Sequence, residues 1–346
     1  MTAKITIREV ASAAGVALKT VSRVLNDEPN VTAPVRARVM KAVEDLGYVP
    51  SMAARRMGGR RSYLLISFND RVNTINNWRS GQGNDWLDQM LYGAILICEA
   101  RGYRMMFELI DPASDQWERQ VSAVLSALQP DGVILTAPHS ESLAMKELLK
   151  RRGTPFVCMG AKGEGLGSGV FMDDHAAAAE ATDHLIQQGR ARIGFIGGDP
   201  RFAVSEARRQ GYEAALAKAG RKVEGDLQAD GDFTFDSGVA AAERLLALAE
   251  RPDAILASND EMALAVLHVA HRRGLAVPRD LALVSFDDTP GVRLSVPPLT
   301  AIRQPIAAMA ERAAGLLIEM ARGEAPPPED YLLPYELVVR ASTGAA

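Results

Sequence analysis

Hydrophobic and polar positions are spaced differently in two parts of the chain. Over roughly the first fifty residues, apolar positions recur at the three- and four-residue intervals of helices. Val10, Ala13 and Ala14 share one face of a first helix, and Thr6, followed three residues later by a glutamate, predicts a capping box at its start. Gly15 can end this helix and turn the chain sharply. From about residue 62 onward, strand-length apolar runs alternate with helical periodicity instead.

The second helical run divides its residues between a buried side and an outer side. The buried positions are Val21, Val24 and Leu25. The outward positions are Leu18, Lys19, Ser22 and Arg23. Two short helices joined at a glycine, with basic residues exposed on the second, are typical of a helix-turn-helix whose second helix enters the DNA major groove. The alternative is an ordinary helical hairpin with a solvated charged face.

A third helix follows a turn rich in Asn, Asp and Pro over residues 26–30. Thr32 is its expected N-cap, and residues 47–50 end it. Its predicted inner face consists of Val35, Val39, Ala42, Val43 and Leu46. The first fifty residues are therefore predicted to form a small all-α unit.

Charge divides the chain at the same place. The whole chain has a net charge of −4, but residues 1–61 carry +6 and the remainder carries −10. A basic head on an acidic body fits a small nucleic-acid module joined to a larger part that does not touch phosphate.

The body contains nine apolar runs of strand length, and helical periodicity fills most of the intervals between them. The predicted strands are Tyr63–Phe68, Tyr103–Leu109, Gly132–Thr136, Phe156–Met159, Gly169–Met172, Ile193–Ile196, Ala254–Ala257, Leu281–Ser285 and Tyr331–Leu333. Strand–helix alternation predicts parallel sheets, and this many units fit two sheets better than one. Between the sheets we expect three chain crossings, at 160–169, near 289–299 and near 323–329.

Several motifs occur in an order that resembles the LacI/GalR family of bacterial transcription regulators. In the head they are Thr6-Ile7-Arg8-Glu9-Val10-Ala11, Thr20-Val21-Ser22-Arg23-Val24-Leu25-Asn26 and Leu46-Gly47-Tyr48-Val49-Pro50. In the body they include Asn259-Asp260-x-Met262-Ala263, Val284-Ser285-Phe286-Asp287-Asp288 and the ending Glu336 to Thr343. The resemblance covers essentially the whole chain. One departure is Ala17, where many members carry a serine that contacts phosphate.

The resemblance implies a fold class and a set of domains. The fold is α/β: an all-α helix-turn-helix head joined by a hinge helix to a periplasmic-binding-protein-like core of two subdomains with two parallel sheets. The expected segments are 1–50 for the head, 51–61 for the hinge helix and linker, 62–160 plus 291–323 for the N-terminal core subdomain, and 161–290 plus 324–346 for the C-terminal one. Residues 51–61 could alternatively be a flexible basic linker.

The resemblance also implies a homodimer that binds palindromic double-stranded operator DNA, and a repressor is the expected form. The implied DNA contacts are Thr6, Ala17, Leu18, Lys19, Thr20, Ser22, Arg23, Asn26, Thr32, Tyr48, Ala54 and Met57. Met57 takes the place of a family leucine that wedges between base pairs in the minor groove, and methionine is an acceptable apolar wedge.

A small-molecule effector, expected to be a sugar or glycoside, is implied between the core subdomains. Its implied contacts are Asp70, Trp86, Arg208, Phe233, Asn259, Asp287 and Gln304. Guanidinium, amide and carboxylate groups can bind paired hydroxyls, and an aromatic ring can pack on a sugar face. For Phe233, core packing is an equally good interpretation. Residues 69–86 exceed the family's usual loop in length and form either a lid over a larger ligand, such as a disaccharide or aryl glycoside, or a disordered loop.

Other functional classes find little support. A nucleophile motif G-x-S-x-G and a phosphate-binding loop are both absent, and His268 with His271 lacks an evident third metal ligand, so we predict no catalytic residue, metal or cofactor.

Cys98 and Cys158 lie in apolar runs and are expected to be buried free thiols. Without a membrane-length apolar run or a signal peptide, a cytoplasmic location is expected. The rival interpretations are a solute-binding protein for transport and a sugar-metabolising enzyme.

Overall fold

The structure of the protein is a computed structural model that describes residues 5–25, 30–48, 61–324 and 328–344. The chain separates into two compact units, residues 1–64 with 129–131 and residues 65–128 with 132–346. Asn26, Ala54, Met57 and nearly all of the expected hinge lie outside the described residues.

The head is built from α1 (Ile7–Ala14), α2 (Leu18–Leu25) and α3 (Ala33–Asp45). The Glu9 carboxylate accepts a hydrogen bond from the Thr6 amide at 2.6 Å, so the capping box is present. Gly15 has φ +63° and ends α1. The buried residues of the head are Val10, Ala11, Ala14, Val21, Val24, Val39, Ala42 and Tyr48. Ala13, which we expected on the buried face of α1, is exposed. Ala11 is buried in its place.

Twelve strands are described in the body. They are β1 Leu64–Asp70, β2 Arg104–Ile110, β3 Gly132–Leu135, β4 Phe156–Met159, β5 Ser168–Phe171, β6 Ile193–Ile196, β7 Gln228–Ala229, β8 Ala254–Ala257, β9 Ala282–Asp287, β10 Thr300–Arg303, β11 Asp330–Leu332 and β12 Glu336–Val338. They form two six-stranded sheets with the orders β11-β5-β4-β3-β1-β2 and β12-β10-β9-β8-β6-β7. The described strand pairings are parallel except for the antiparallel pair β10–β12.

Helices connect these strands, as expected for parallel sheets. They are α4 Arg71–Ser80, α5 Asp85–Ala100, α6 Trp117–Leu128, α7 Leu143–Arg151, α8 Asp174–Gln187, α9 Ala203–Lys218, α10 Phe235–Leu246, α11 Asp260–Arg272, α12 Pro290–Leu294 and α13 Ile306–Arg322. We call the sheet with β1 and its helices α4–α7 and α13 the first subdomain, and the sheet with β6 and helices α8–α12 the second subdomain. The expected fold class is confirmed.

The three crossings between subdomains lie elsewhere than predicted. Strand β5 belongs to the first sheet, so the chain crosses at residues 172–173, and the predicted boundary at 160–161 is wrong. Strand β10 belongs to the second sheet, which moves the next crossing from 289–299 to 304–305. The last crossing falls at 333–335, between β11 and β12, instead of 323–329. The expected segments 62–160, 291–323, 161–290 and 324–346 are therefore wrong at these edges.

The glycine-rich stretch 160–169 was predicted to connect the two subdomains, but it lies within the first one. It is a tight turn between β4 and β5, in which the Gly163 amide donates to the Asp330 carboxylate at 2.9 Å. A side chain at Gly163 would begin only 1.9 Å from the Gly167 carbonyl oxygen. The glycines therefore allow close backbone packing within one sheet. Strand β10 was not predicted because it follows two prolines, which are typical of turns.

Residues 71–80 form α4, so of the two alternatives for residues 69–86 the disordered loop is wrong. Both cysteines are buried free thiols, as expected, and burial raises the pKa of each to about 12. Within the described ranges, every helix is too short or too polar to cross a lipid bilayer.

The close approach of α5 to α13 generates a stability prediction. A Cβ on Gly93 would lie 2.0 Å from the carbonyl oxygen of Ala307, whereas one on Gly315 would meet nothing within 4 Å. We expect Gly93→Ala to lower the free energy of unfolding by roughly 1–3 kcal/mol, because the helices must separate. Gly315→Ala, the matched control, is expected to raise it by roughly 0.5–1 kcal/mol. Urea denaturation measures both, and a wild-type midpoint for Gly93→Ala would contradict the packing.

Candidate functional site

A cavity of about 190 Å³ lies between the two subdomains. Its walls include the carboxyl ends of strands from both sheets, such as Asp70 after β1 and Asp287 at the end of β9. This edge is where open parallel sheets bind ligands. All seven residues implied as effector contacts line it: Asp70, Trp86, Arg208, Phe233, Asn259, Asp287 and Gln304.

Arg208 projects from α9 and is held on three sides. Its guanidinium forms a 2.7 Å ion pair with the Asp174 carboxylate at the start of α8. It also donates to the Ser258 carbonyl oxygen at 2.5 Å, and its Cζ lies 4.1 Å from the centre of the Phe286 ring. With only 4% of its surface exposed, Arg208 has a fixed position, so it can meet a ligand without ordering a flexible side chain.

Asp287 adopts φ +108°, a backbone conformation that side-chain-bearing residues rarely take. Its carboxylate accepts a hydrogen bond from the Gln304 amide, which comes from the crossing before α13. Burial raises the pKa of Asp287 to about 7, while the nearby Arg208 charge and the Gln304 hydrogen bond oppose the rise. Burial also raises the pKa of the neighbouring Asp260 carboxyl, with the Asp287 charge acting in the same direction.

Asn259 joins two parts of the second subdomain. Its Oδ1 accepts a hydrogen bond from the Met262 backbone amide at 3.0 Å and so caps α11. Its Nδ2 donates to the Phe233 carbonyl oxygen at 2.8 Å. Phe233 has φ +70° and its ring meets Phe202 edge-on at 5.7 Å. Asn259 thus positions the Phe233 loop and also lines the cavity.

Asp70 and Trp86 come from the first subdomain. The Asp70 carboxylate caps α4 through the Asn73 amide at 2.6 Å and forms a 3.4 Å ion pair with Arg201 of the second subdomain. Trp86 lies in the first turn of α5 and is half-buried. Other polar residues line the cavity without having been among the expected effector contacts, and they include Asn73, Thr74, Asn77, Thr136, Asp174, Glu261 and Thr289. Residues 73 and 77 lie in the stretch 69–86, which was expected to be a loop, so their helical spacing was not considered.

Acidic side chains outnumber basic ones in the cavity wall. The carboxyls are Asp70, Asp85, Asp174, Asp260, Glu261 and Asp287, whereas Arg208 is the one basic residue among the described lining residues. Burial is the main reason that the pKa is also raised at Asp85, Asp174 and Glu261. Carboxylate and amide oxygens accept hydrogen bonds, so this wall suits a ligand rich in hydroxyl donors.

Two carboxylates join the subdomains beside the cavity. Glu261, at the start of α11, accepts from the Gly83 amide of the first subdomain at 2.8 Å. Glu141 of the first subdomain accepts from the Ala203 amide at the start of α9 at 3.0 Å. Together with the Asp70–Arg201 pair, these contacts connect the two sides of the cleft.

The expected DNA-facing residues of the head divide by exposure. Thr6, Ala17, Leu18, Lys19 and Thr32 are exposed, with Leu18 at 46%. Thr20, Ser22 and Arg23 are half-buried. Tyr48 is 7% exposed, so its main role in the head is packing.

Comparison with known proteins gives two family matches. Residues 6–51 match the family described as bacterial regulatory proteins, lacI family, and residues 182–343 match the periplasmic binding protein-like domain. The chain is 34% identical to the HTH-type transcriptional regulator CelR of Thermobifida fusca, over 97% of this chain and 98% of that protein.

Two solved structures resemble the whole chain. The complex of the transcriptional regulator CelR with cellobiose has a TM-score of 0.73 and 32% identity, over 98% of this chain and 99% of that one. The lac repressor dimer bound to operator and the anti-inducer ONPF has a TM-score of 0.78, covering 99% of each chain. Its identity is 23%, so that likeness concerns the fold alone.

The raised pKa of Asp287 predicts a pH-dependent stability difference. The folded protein retains the Asp287 proton up to about pH 7, whereas the unfolded chain loses it near its ordinary value of 3.8. Wild type should therefore lose stability relative to Asp287→Asn as pH rises between these values. Between about pH 5 and pH 7, we expect the variant's advantage in unfolding free energy to grow by roughly 1–3 kcal/mol. Urea titrations from about pH 5 to pH 8 measure it.

The control for that experiment is Asp115→Asn, which removes an exposed carboxylate outside the cavity. It should show no such pH-dependent gain. If the advantage of Asp287→Asn in unfolding free energy is equal at both ends of the pH range, burial does not destabilise the charged form of Asp287.

Proposed function

The chain belongs to the LacI family of bacterial regulatory proteins, and on that premise we propose that a sugar bound between its subdomains controls its affinity for operator DNA. As a member of this family it is a sequence-specific DNA-binding regulator of transcription. We infer that it represses genes of carbohydrate utilisation, acts in the cytoplasm as a homodimer on palindromic sites, and works by binding instead of catalysis. Two heads held by one dimer suit a two-fold symmetric operator.

The observation that carries the effector proposal is the cavity itself. It brings a fixed guanidinium, amides and carboxylates from both subdomains to one place, and an aromatic residue from each accompanies them. Such groups bind hydroxyls in pairs and pack against the C–H face of a sugar ring. The relative that shares 32% identity over nearly the whole chain is solved with cellobiose, which makes cellobiose the first ligand to test.

The proposed mechanism uses the contacts that already join the subdomains. Asp70, Glu141 and Glu261 each bind a group on the opposite subdomain. A ligand that touches both walls changes the free energy of closing the cleft. If its affinity differs between the open and the closed arrangement of the subdomains, it shifts the populations of the two. A coupling of about 1–3 kcal/mol would change operator affinity by 5- to 150-fold.

Ligand titration tests the effector proposal. Cellobiose, maltose, xylobiose, glucose and xylose are titrated into the protein by calorimetry, and operator selected from random DNA is titrated by fluorescence anisotropy. We expect at least one sugar to bind and to change operator affinity. Asp287→Ala should weaken that sugar's binding about ten- to hundredfold, because its hydroxyls lose a buried partner.

Operator binding without sugar should be the same in Asp287→Ala and wild type, since the head is unchanged. Asp115→Ala controls for loss of an acidic side chain elsewhere in the body. A response of Asp287→Ala to the same sugar concentrations as wild type would place the effector elsewhere.

A second experiment tests base recognition by α2. Leu18 and Lys19 are exposed at its first two positions, where side chains of a recognition helix meet base edges. Replacing both with alanine should change the consensus recovered by selection from randomised DNA. Lys41→Ala removes an exposed lysine from α3, outside the recognition helix, and should return the wild-type consensus. An unchanged consensus for the Leu18/Lys19 double variant would contradict the assignment.

A further inference from the structure

Helix α4 has a composition that does not favour a helix. Its ten residues, Arg71 to Ser80, include three asparagines, and its apolar residues do not gather on one face. Asparagine favours turns and caps over helix interiors by several tenths of a kcal/mol relative to alanine. A local preference that opposes the observed structure is a common mark of a functional surface.

Tertiary contacts hold α4 in place despite this composition. Asp70 caps its first turn, and Gly81 at φ +72° closes its last. On its outer side Trp78 meets the Phe107 ring of β2 edge-on at 5.9 Å. Beyond the helix, the Gly83 amide donates to Glu261 of the second subdomain. The helix is therefore a preformed part of the cavity wall, and Trp78 packs away from the cavity.

One face of α4 presents amides to the cavity. Asn73 and Asn77 are four residues apart, so they lie on the same side of the helix, and both line the cavity with Thr74. Asn76 lies outside the cavity lining and is exposed. Asparagines of α4 thus occur both on the side that lines the cavity and on the side that does not.

The two cavity-facing amides differ in what they already bind. Asn77 donates through Nδ2 to the Gly83 carbonyl oxygen at 2.8 Å and so holds the following turn. The Asn73 side chain makes no hydrogen bond to any residue that the structure describes, and it is half-buried. Its donor and acceptor both remain available to a ligand in the cavity.

Groups that suit a sugar ring line the opposite wall. Arg208, Asn259 and Asp287 line it from the second subdomain, with Phe233 beside them. A ligand that engages these groups and also the amides of α4 must present hydroxyls to both walls of the cavity. Trp86, next to α4 in the wall, offers a second aromatic surface for a sugar ring.

We propose that α4 forms a second sugar subsite in which Asn73 determines specificity, so that the ligand is a disaccharide or longer oligosaccharide instead of a monosaccharide. This inference rests on the proposed function, because it concerns the same cavity. Asn73 suits this role because it lies on the cavity side of α4 and its side-chain amide makes no hydrogen bond to the described residues.

Asn73→Ala and Asn76→Ala test this subsite as a matched pair. Each replaces an asparagine of α4 with a better helix former, so neither should weaken the fold. By calorimetry with cellobiose, maltose and glucose, wild type should bind one of the disaccharides at least tenfold more tightly than glucose. Asn73→Ala should weaken binding of that disaccharide about tenfold and leave glucose unchanged, whereas Asn76→Ala should change neither.

Two results would overturn the subsite. One is a wild-type affinity for glucose equal to that for both disaccharides, and the other is an Asn73→Ala variant that behaves like Asn76→Ala. If glucose binds as tightly as the disaccharides and changes operator affinity, only the subsite fails. If none of the sugars binds wild type, the proposed function fails with it.

Discussion

The buried ion pair between Arg208 and Asp174 is the interaction on which the candidate site depends. A guanidinium removed from water must be paired and hydrogen-bonded, and here Asp174, the Ser258 carbonyl oxygen and the Phe286 ring meet that requirement. These partners belong to α8, the end of β8 and β9, so one side chain ties three elements of the second subdomain together. The same arrangement leaves Asp287 beside a fixed positive charge in a wall that is otherwise acidic.

The two carboxylates that join the subdomains beside the cavity explain how ligand binding and closure of the cleft can be coupled. Burial raises the pKa of Glu141 and Glu261, which means that both carboxylates are costly to keep charged where they are. Each nevertheless accepts a backbone amide from the opposite subdomain, and these contacts exist only when the two sides approach. Closure is therefore a balance between desolvation and hydrogen bonding, and a ligand that bonds to both walls shifts it.

The polar groups of the cavity are more predictable from the sequence than the connections between the subdomains. Asp287, Arg208 and the other expected contacts follow apolar strands or begin helices, and strand ends of parallel sheets meet at one edge. The crossings were misplaced because glycines at 160–169 were interpreted as a connection, although they allow close packing inside one sheet. Asn73 was missed because asparagine-rich sequence predicts a loop, whereas capping by Asp70 and packing of Trp78 on the first subdomain hold this segment as a helix.

The central claim is that sugar binding between the subdomains and operator binding by the head are thermodynamically coupled. Coupling must be reciprocal: the factor by which the bound sugar changes operator affinity equals the factor by which operator changes the affinity for that sugar. Anisotropy titrations of operator with and without the saturating sugar, and calorimetric titrations of the sugar with and without saturating operator, give the two factors independently. We predict equal factors of at least fivefold, and a sugar affinity that is unchanged by saturating operator would contradict the account.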